Sequence, residues 1–189
     1  MDFERLRLPV FNPGKPFSEV SEELKQDLVA VLGFLQENYN LVTLSIESNY
    51  RSVHEAAEKR IGYITFLEKE YLTYFSRVVA NVTDEHESRQ LLALITKFDY
   101  LFQIQDSIED LLNTKRTMSR RYIELRSDVL LMVREISSET LGLFDDIHEG
   151  LAKHKPLDVS SRRHSLHLLT ENINRNLLVL LTHPERKDA

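Results

Sequence analysis

The sequence predicts an all-α protein, an antiparallel bundle of about five helices with at least two of them long. Three observations predict it. Gly and Pro number only 5 each in 189 residues, and no proline falls between Ser18 and Lys155; both residues are far below ordinary usage. Apolar residues recur at steps of three and four, the spacing that lays them along one helical face. No segment alternates strictly with a period of two. Val78-Val79 and Leu177 to Leu181 tolerate a strand but sit inside helical patterns.

The elements follow in order. Pro9, Pro13, Pro16 and Gly14 make residues 1–17 an extended arm. Ser18 is the expected N-cap of helix 1, with Glu19, Glu22 and Glu23 at the positive end of its dipole. Val20, Leu24, Leu28, Val31, Leu35, Tyr39, Val42 and Ile46 form its stripe, and a helix of about 30 residues spans roughly 45 Å. The register falters over Ser48 to Ser52. Helix 2 carries Val53, Ala57, Ile61, Ile64, Leu67, Tyr71, Phe75 and Val78, and ends around Asn81. Asp84 is placed to cap helix 3, with Glu87 three residues on to complete a capping box. Helix 3 carries Leu91, Leu94, Phe98, Leu101, Phe102, Ile108 and Leu112, with a break expected near Thr117 to Ser119. Helix 4 is expected from about Ser119, with Ile123, Leu130, Val133, Ile136, Leu141, Phe144 and Ile147, stopping at Gly150. Pro156 breaks the chain, Asp158 caps helix 5, and Leu166, Leu169, Ile173, Leu177 and Leu180 line that helix up to Pro184.

Composition excludes several classes of function. Hydrophobic residues make up 42% and charged residues 29%, a globular balance. Lys plus Arg is 24 against 30 Asp plus Glu, a net charge of −6. That argues against nucleic acid, whose phosphates need a clustered basic surface. The absence of Cys removes disulfides, thiolate zinc sites, iron–sulfur clusters and Cys nucleophiles, and fits a reducing compartment. No run of 18 apolar residues exists to span a membrane, and charges occupy the first residues where a signal peptide needs an apolar run.

The chemistry-bearing residues are few. Asp99, Gln103, Asp106 and Asp110 stand at i, i+4, i+7 and i+11, one stripe of helix 3 beside its apolar stripe. Carboxylates at a bundle seam suit a divalent, iron or zinc ion; the plainer reading is a solvated flank paired with Lys or Arg. His164, His167 and Glu171 share one face of helix 5, and imidazoles so spaced either hold a metal or stay solvated. No Glu-x-x-His occurs, so a ferritin-like di-iron site is not expected. There is no Gly-x-Ser-x-Gly elbow and no Gly-rich phosphate loop. Gly33, Gly62 and Gly142 read as close-packing points. Lys115, Arg116, Arg120 and Arg121 form the compact basic patch, placed to meet an anion or an anionic membrane surface, or simply to solvate a helix junction.

The run Glu70 to Ser76, then Thr83 to Arg89, then Leu91 to Asp110 resembles a PhoU-like domain of the type at the C-terminus of bacterial sodium/phosphate cotransporters. In that family a helix ending in a tyrosine-leucine pair is followed by an acidic loop and a helix reading approximately Asp-Leu-Glu-Arg-Ile-Gly-Asp. Here the segment is Tyr100 to Asp106: Leu101, Ile104 and Asp106 match, while Phe102 stands for the Glu, Gln103 for the Arg and Gln105 for the Gly. The family's acid-x-x-x-Asp metal pattern is met one turn along, by Asp106 to Asp110. The resemblance implies one three-helix repeat over residues 18–118 and a second, degenerate repeat over 119–189 packed on it. It also implies a non-catalytic regulatory role in phosphate transport on the cytoplasmic face of the cell membrane. The implied partner is a transporter membrane domain or a phosphate-signalling protein, with membrane contact peripheral or by fusion. Long amphipathic helices also offer an edge for a homodimer. The alternatives are a stand-alone carboxylate-rich metal-binding bundle and a purely structural interaction domain.

Overall fold

The computed structural model describes residues 3–48, 50–153 and 158–182, with side chains through 176. Its helices are α1 (Phe17–Glu47), α2 (Arg51–Asn81), α3 (Glu85–Arg120), α4 (Ser127–Lys153) and α5 (Ser160–Thr182). Among the described residues there is no strand, and no helix is long and apolar enough to cross a membrane. The chain divides into two compact units, residues 1–123 and 124–189.

In the first unit α1 packs on both α2 and α3, and α2 on α3. Leu24, Val31, Leu32, Leu35 and Val42 of α1 are essentially inaccessible to solvent, as are Ala57, Ile64 and Leu67 of α2 and Leu91, Phe98 and Leu112 of α3. These are the residues of the period-3.6 stripes, so burial of one apolar face per helix drives the packing. Aromatic rings fill the middle: Tyr71 lies 4.7 Å from Phe98, and Phe75 lies 5.3 Å from Phe98. Phe102 joins them, 6.2 Å from Tyr71 and 5% exposed. Such ring pairs contribute about 0.5–1.5 kcal/mol each beyond their buried area.

Polar residues interrupt these stripes at one level. Arg60 of α2 is 6% exposed, Asn38 of α1 0% and Gln105 of α3 1%. Arg60 Nε donates to Asn38 Oδ1 at 2.7 Å, and Asn38 Nδ2 donates to Gln105 Oε1 at 3.3 Å. The guanidinium also pairs with Glu37 at 2.6 Å and reaches the Phe34 carbonyl at 3.4 Å.

The arm is part of this unit. Phe3 sits against Phe34 and Tyr63, ring centroids 5.5 and 5.4 Å away. The Tyr63 hydroxyl donates to the Leu6 carbonyl at 2.9 Å. Arg7 bonds Asp27 at 2.9 Å, Lys15 pairs with Glu23, and Asn81 Nδ2 donates to the Pro13 carbonyl at 3.4 Å. A turn in which the Gly14 N–H donates to Asn12 Oδ1 at 3.0 Å leads the arm into α1.

Helix ends differ from expectation where local chemistry decides. Helix α1 starts at Phe17 with Pro16 in the cap position and no side-chain cap, so Ser18 lies inside it; the Glu19 and Val20 amides bond the Pro16 carbonyl instead. Asp84 caps α3 as expected, its carboxylate accepting from the Glu87 N–H at 2.9 Å. Helix α3 runs unbroken through Thr117, whose hydroxyl back-bonds to the Asn113 carbonyl at 3.0 Å. It stops beyond Arg120, where Tyr122 has φ 54° and the Ile123 N–H returns to the Met118 carbonyl at 2.9 Å. This is a Schellman stop with tyrosine in the left-handed position usually taken by glycine. It consumes the residues expected to open helix 4, which therefore starts at Ser127, with the Leu130 N–H on the Arg126 carbonyl.

In the second unit α4 packs on α5, with Phe144 and Ser137 buried. Arg162 of α5 lies across Gly142 of α4 and bonds Asp146 at 2.6 Å and Glu139 at 3.4 Å. A Cβ at Gly142 would meet that guanidinium, the far end of a flexible side chain, so the glycine gives Arg162 room rather than bringing two helix backbones together. Gly62 faces open space and is not a close-packing point either; Gly33 is half-buried on α1. Gly150 has no positive φ and lies within α4, which continues to Lys153; a glycine inside a helix costs only about 1 kcal/mol. Asp158 accepts from the Ser160 N–H at 3.0 Å, the expected cap of α5. Pro156, Pro184 and the side chains of Leu177 and Leu180 lie outside the described residues.

Tyr122 is 92% exposed, so its ring contributes no packing to offset its backbone conformation. Tyr122→Gly is expected to stabilise the first unit by about 1 kcal/mol, the cost of a side chain in the left-handed region. Urea unfolding followed by tyrosine fluorescence checks this; an unchanged or lowered midpoint contradicts it.

Candidate functional site

The acidic stripe of α3 is solvent-facing. Asp99, Asp106 and Asp110 are all exposed, and Asp99 accepts from Gln103 Nε2 at 2.7 Å. Eleven residues separate Asp99 from Asp110, about 16 Å along the helix axis. One ion, whose carboxylate ligands lie about 2–2.6 Å away, cannot collect all three. Asp106 and Asp110, one turn apart, are the pair that shares a position. The position where the resembled family has an acid is filled by Phe102, which points into the aromatic core rather than toward this stripe. Among the described residues no group of three or more His, Asp or Glu side chains is arranged to hold a metal ion.

Helix α2 adds a carboxylate that the reading of α3 alone missed. Glu68 is half-buried, and its pKa is raised first by burial and then by the charges of Asp106 and Asp99. The acidic patch is therefore Glu68, Asp99 and Asp106 across the α2–α3 seam. Only the pairing of α2 with α3 reveals it, because Glu68 is 31 residues from Asp99 in sequence.

The basic quartet is divided by burial. Lys115 is 8% exposed, on the core side of α3. Arg116 bonds Glu58 of α2 through Nε at 2.9 Å and Asn113 through a terminal nitrogen at 2.7 Å. Glu58 also meets His54 Nε2 at 3.2 Å, so this end of the α2–α3 pair is an ion-pair cluster. Arg120 and Arg121 are exposed at the C-terminal end of α3, where cations complement the helix dipole. On α5, His167 Nε2 lies 3.5 Å from Glu171, both side chains more than half exposed; His164 is exposed as well.

A second missed feature lies under the arm. Asp27 of α1 is only 12% exposed, held from the inside by the Tyr71 hydroxyl and from the outside by Arg7. Burial raises the Asp27 pKa, and Arg7 opposes that shift. The Tyr71 pKa is raised by burial and by the Asp27 charge.

The segments that carry the sequence resemblance fall on either side of one tight connection. Tyr71 is 1% exposed and Leu72 59% exposed near the end of α2; Val82 to Asp84 form the turn; Leu91 to Asp110 run along α3. Comparison with family models, with curated proteins and with solved structures yields no match to this chain.

Because Glu68 has a raised pKa, its ionised form disfavours folding. The sign follows from linkage: the penalty is absent while the carboxyl is protonated in both states and appears as pH rises through the folded pKa. Glu68→Gln is expected to raise the melting temperature at pH 7, and the gain is expected to vanish below about pH 4, where carboxylates protonate. An equal gain at both pH values, or none at pH 7, contradicts this account of the patch.

Proposed function

We propose that this chain is a non-catalytic regulatory domain of a phosphate transport system, the PhoU-like portion of a sodium/phosphate cotransporter. Its first unit is read as an antiparallel three-helix repeat and its second as a degenerate repeat. It acts from the cytoplasmic face of the membrane, on a transporter membrane domain or a phosphate-signalling protein. One observation carries the reading: the motif-bearing residues 70–110 form two long helices joined by a turn that Asp84 caps, with the motif's Tyr71 buried against Phe98 and Phe102. Such a helix pair suits a domain whose signal is the relative position of helices rather than chemistry at a pocket.

Regulation of this kind needs a two-state element that a ligand or partner biases. Among the described residues, the interruptions available in the first unit are the connection around Ser48 and Tyr50, the Val82 to Asp84 connection and the left-handed Tyr122. A shift of α1 or α3 about these points moves a whole helix, since the packed core resists gradual deformation.

The test is radiolabelled phosphate uptake by cells that encode this protein, compared with cells lacking residues 17–182 of it, at matched transporter abundance. The expected outcome is a changed dependence of uptake on external phosphate, severalfold at its extremes. Uptake identical at every phosphate concentration contradicts the proposal.

A further inference from the structure

The arm of residues 3–16 does more than cover the helices. It lies as an extended segment along α1 and α2, and Phe3, Leu6, Pro9, Phe11 and Lys15 are its half-buried positions. We propose that the surface beneath it is a binding site for an extended, arginine-bearing protein segment, and that the arm is the resident occupant that keeps the site closed.

The surface has three recognition elements in a row. The first is an aromatic box: Phe34 and Tyr63 stand 5.6 Å apart, and the Arg60 guanidinium lies 3.9 Å from the Phe34 ring centre and 5.2 Å from that of Phe3. A cation over ring faces favours an aromatic guest. The second is the Tyr63 hydroxyl, which donates 2.9 Å to a main-chain carbonyl, that of Leu6. Such a bond reads the main chain rather than a particular side chain. The third is the carboxylate of Asp27, 12% exposed and bonded by Tyr71 from within, with Glu23 beside it 3.7 Å from Arg7. A carboxylate so enclosed requires a cation, and Arg7 provides it at 2.9 Å. The occupant chemistry is thus an aromatic side chain followed four residues later by arginine, on an extended chain. The acidic pair selects for a basic segment, so charge complementarity names the partner.

The hold of the arm is discontinuous. It is pinned at Phe3 to Arg7 and again at Pro13 and Lys15. Between the pins, cavities of about 240 and 140 Å³ separate it from α1 and α2. Val10 there is 79% exposed. A competing segment that supplies the aromatic and the arginine therefore replaces the first pin without prying out the second. The arm then swings from the turn at Asn12 to Lys15.

The probe is a fluorescein-labelled synthetic peptide with the sequence of residues 1–16, titrated into the full chain by fluorescence anisotropy. Apparent affinity falls with the fraction of sites that stand open, so the parent is expected to bind weakly and Arg7→Ala at least about tenfold more tightly. Phe3→Ala opens the site from the other contact and is expected to do the same; it decides the matter alone if Arg7→Ala loses helical circular dichroism. A probe carrying Arg7→Ala is expected to lose the gain. The proposal is overturned if neither variant binds the natural probe more tightly than the parent, or if the alanine probe binds as well as the natural one.

Discussion

The first unit is organised around the buried guanidinium of Arg60. Arg60 brings a full positive charge to a depth where 6% of the residue is exposed, and a guanidinium so placed is costly unless every donor finds a partner. Burial pulls its pKa down while Glu37 pulls it up. The donors are spent on Asn38, Glu37 and the Phe34 carbonyl, all on α1, and Asn38 passes the bond on to Gln105 of α3. Apolar stripes alone would tolerate a slide of one helix against another, because leucine and isoleucine surfaces are nearly interchangeable. A hydrogen-bonded chain through three helices does not, since a slip leaves buried donors unpaired at a cost of about 1–3 kcal/mol for each group. The Gln105 Nε2 atom already lacks a partner among the described residues, so the seam has no slack left in it.

The same arginine ties the arm to the core. Its flat face takes the Phe34 ring on one approach and the Phe3 ring on another. Helix register and arm docking thus meet at one residue. Anything that moves α1 at Phe34 alters the box that holds Phe3, and loss of Phe3 opens Arg60 to water. The acidic patch on α2 and α3 is the counterpart on another face: Glu68 pays a desolvation penalty beside Asp106 and Asp99, and relief of that strain by a cation or a partner would favour the present packing.

Much of this was legible in the sequence. Five helices appear as the periodicity implies, except that the fourth begins at Ser127 rather than near Ser119; the interruption near Ser48 is real, and Asp84 and Asp158 cap as their spacing implies. The junction after α3 was misjudged because Thr117 looks like a breaker but back-bonds to the helix, while a tyrosine serves as the left-handed stop. The polar seam was missed although a signal existed. Asn38 lies three residues after Leu35, Arg60 three after Ala57, and Gln105 three before Ile108, all on the apolar stripe, and Lys115 likewise follows Leu112. A polar residue at core spacing is a buried-network candidate, yet on one helix it reads the same as a solvated neighbour until the partner helix is known. For the same reason the aspartates of α3 were legible as a stripe, but Glu68 was not legible as their neighbour.

The central claim is that Arg60, Asn38 and Gln105 lock the three helices together, and Asn38→Leu tests it most directly. All seven tyrosines precede Glu124, so tyrosine fluorescence during urea unfolding follows the first unit alone. The substitution adds apolar surface yet leaves the Arg60 Nε and the Gln105 carbonyl oxygen without partners. The account predicts a loss of about 1–3 kcal/mol, the cost of stranding buried polar groups. A variant as stable as the parent, or more stable, would contradict it and leave the apolar stripes as sufficient.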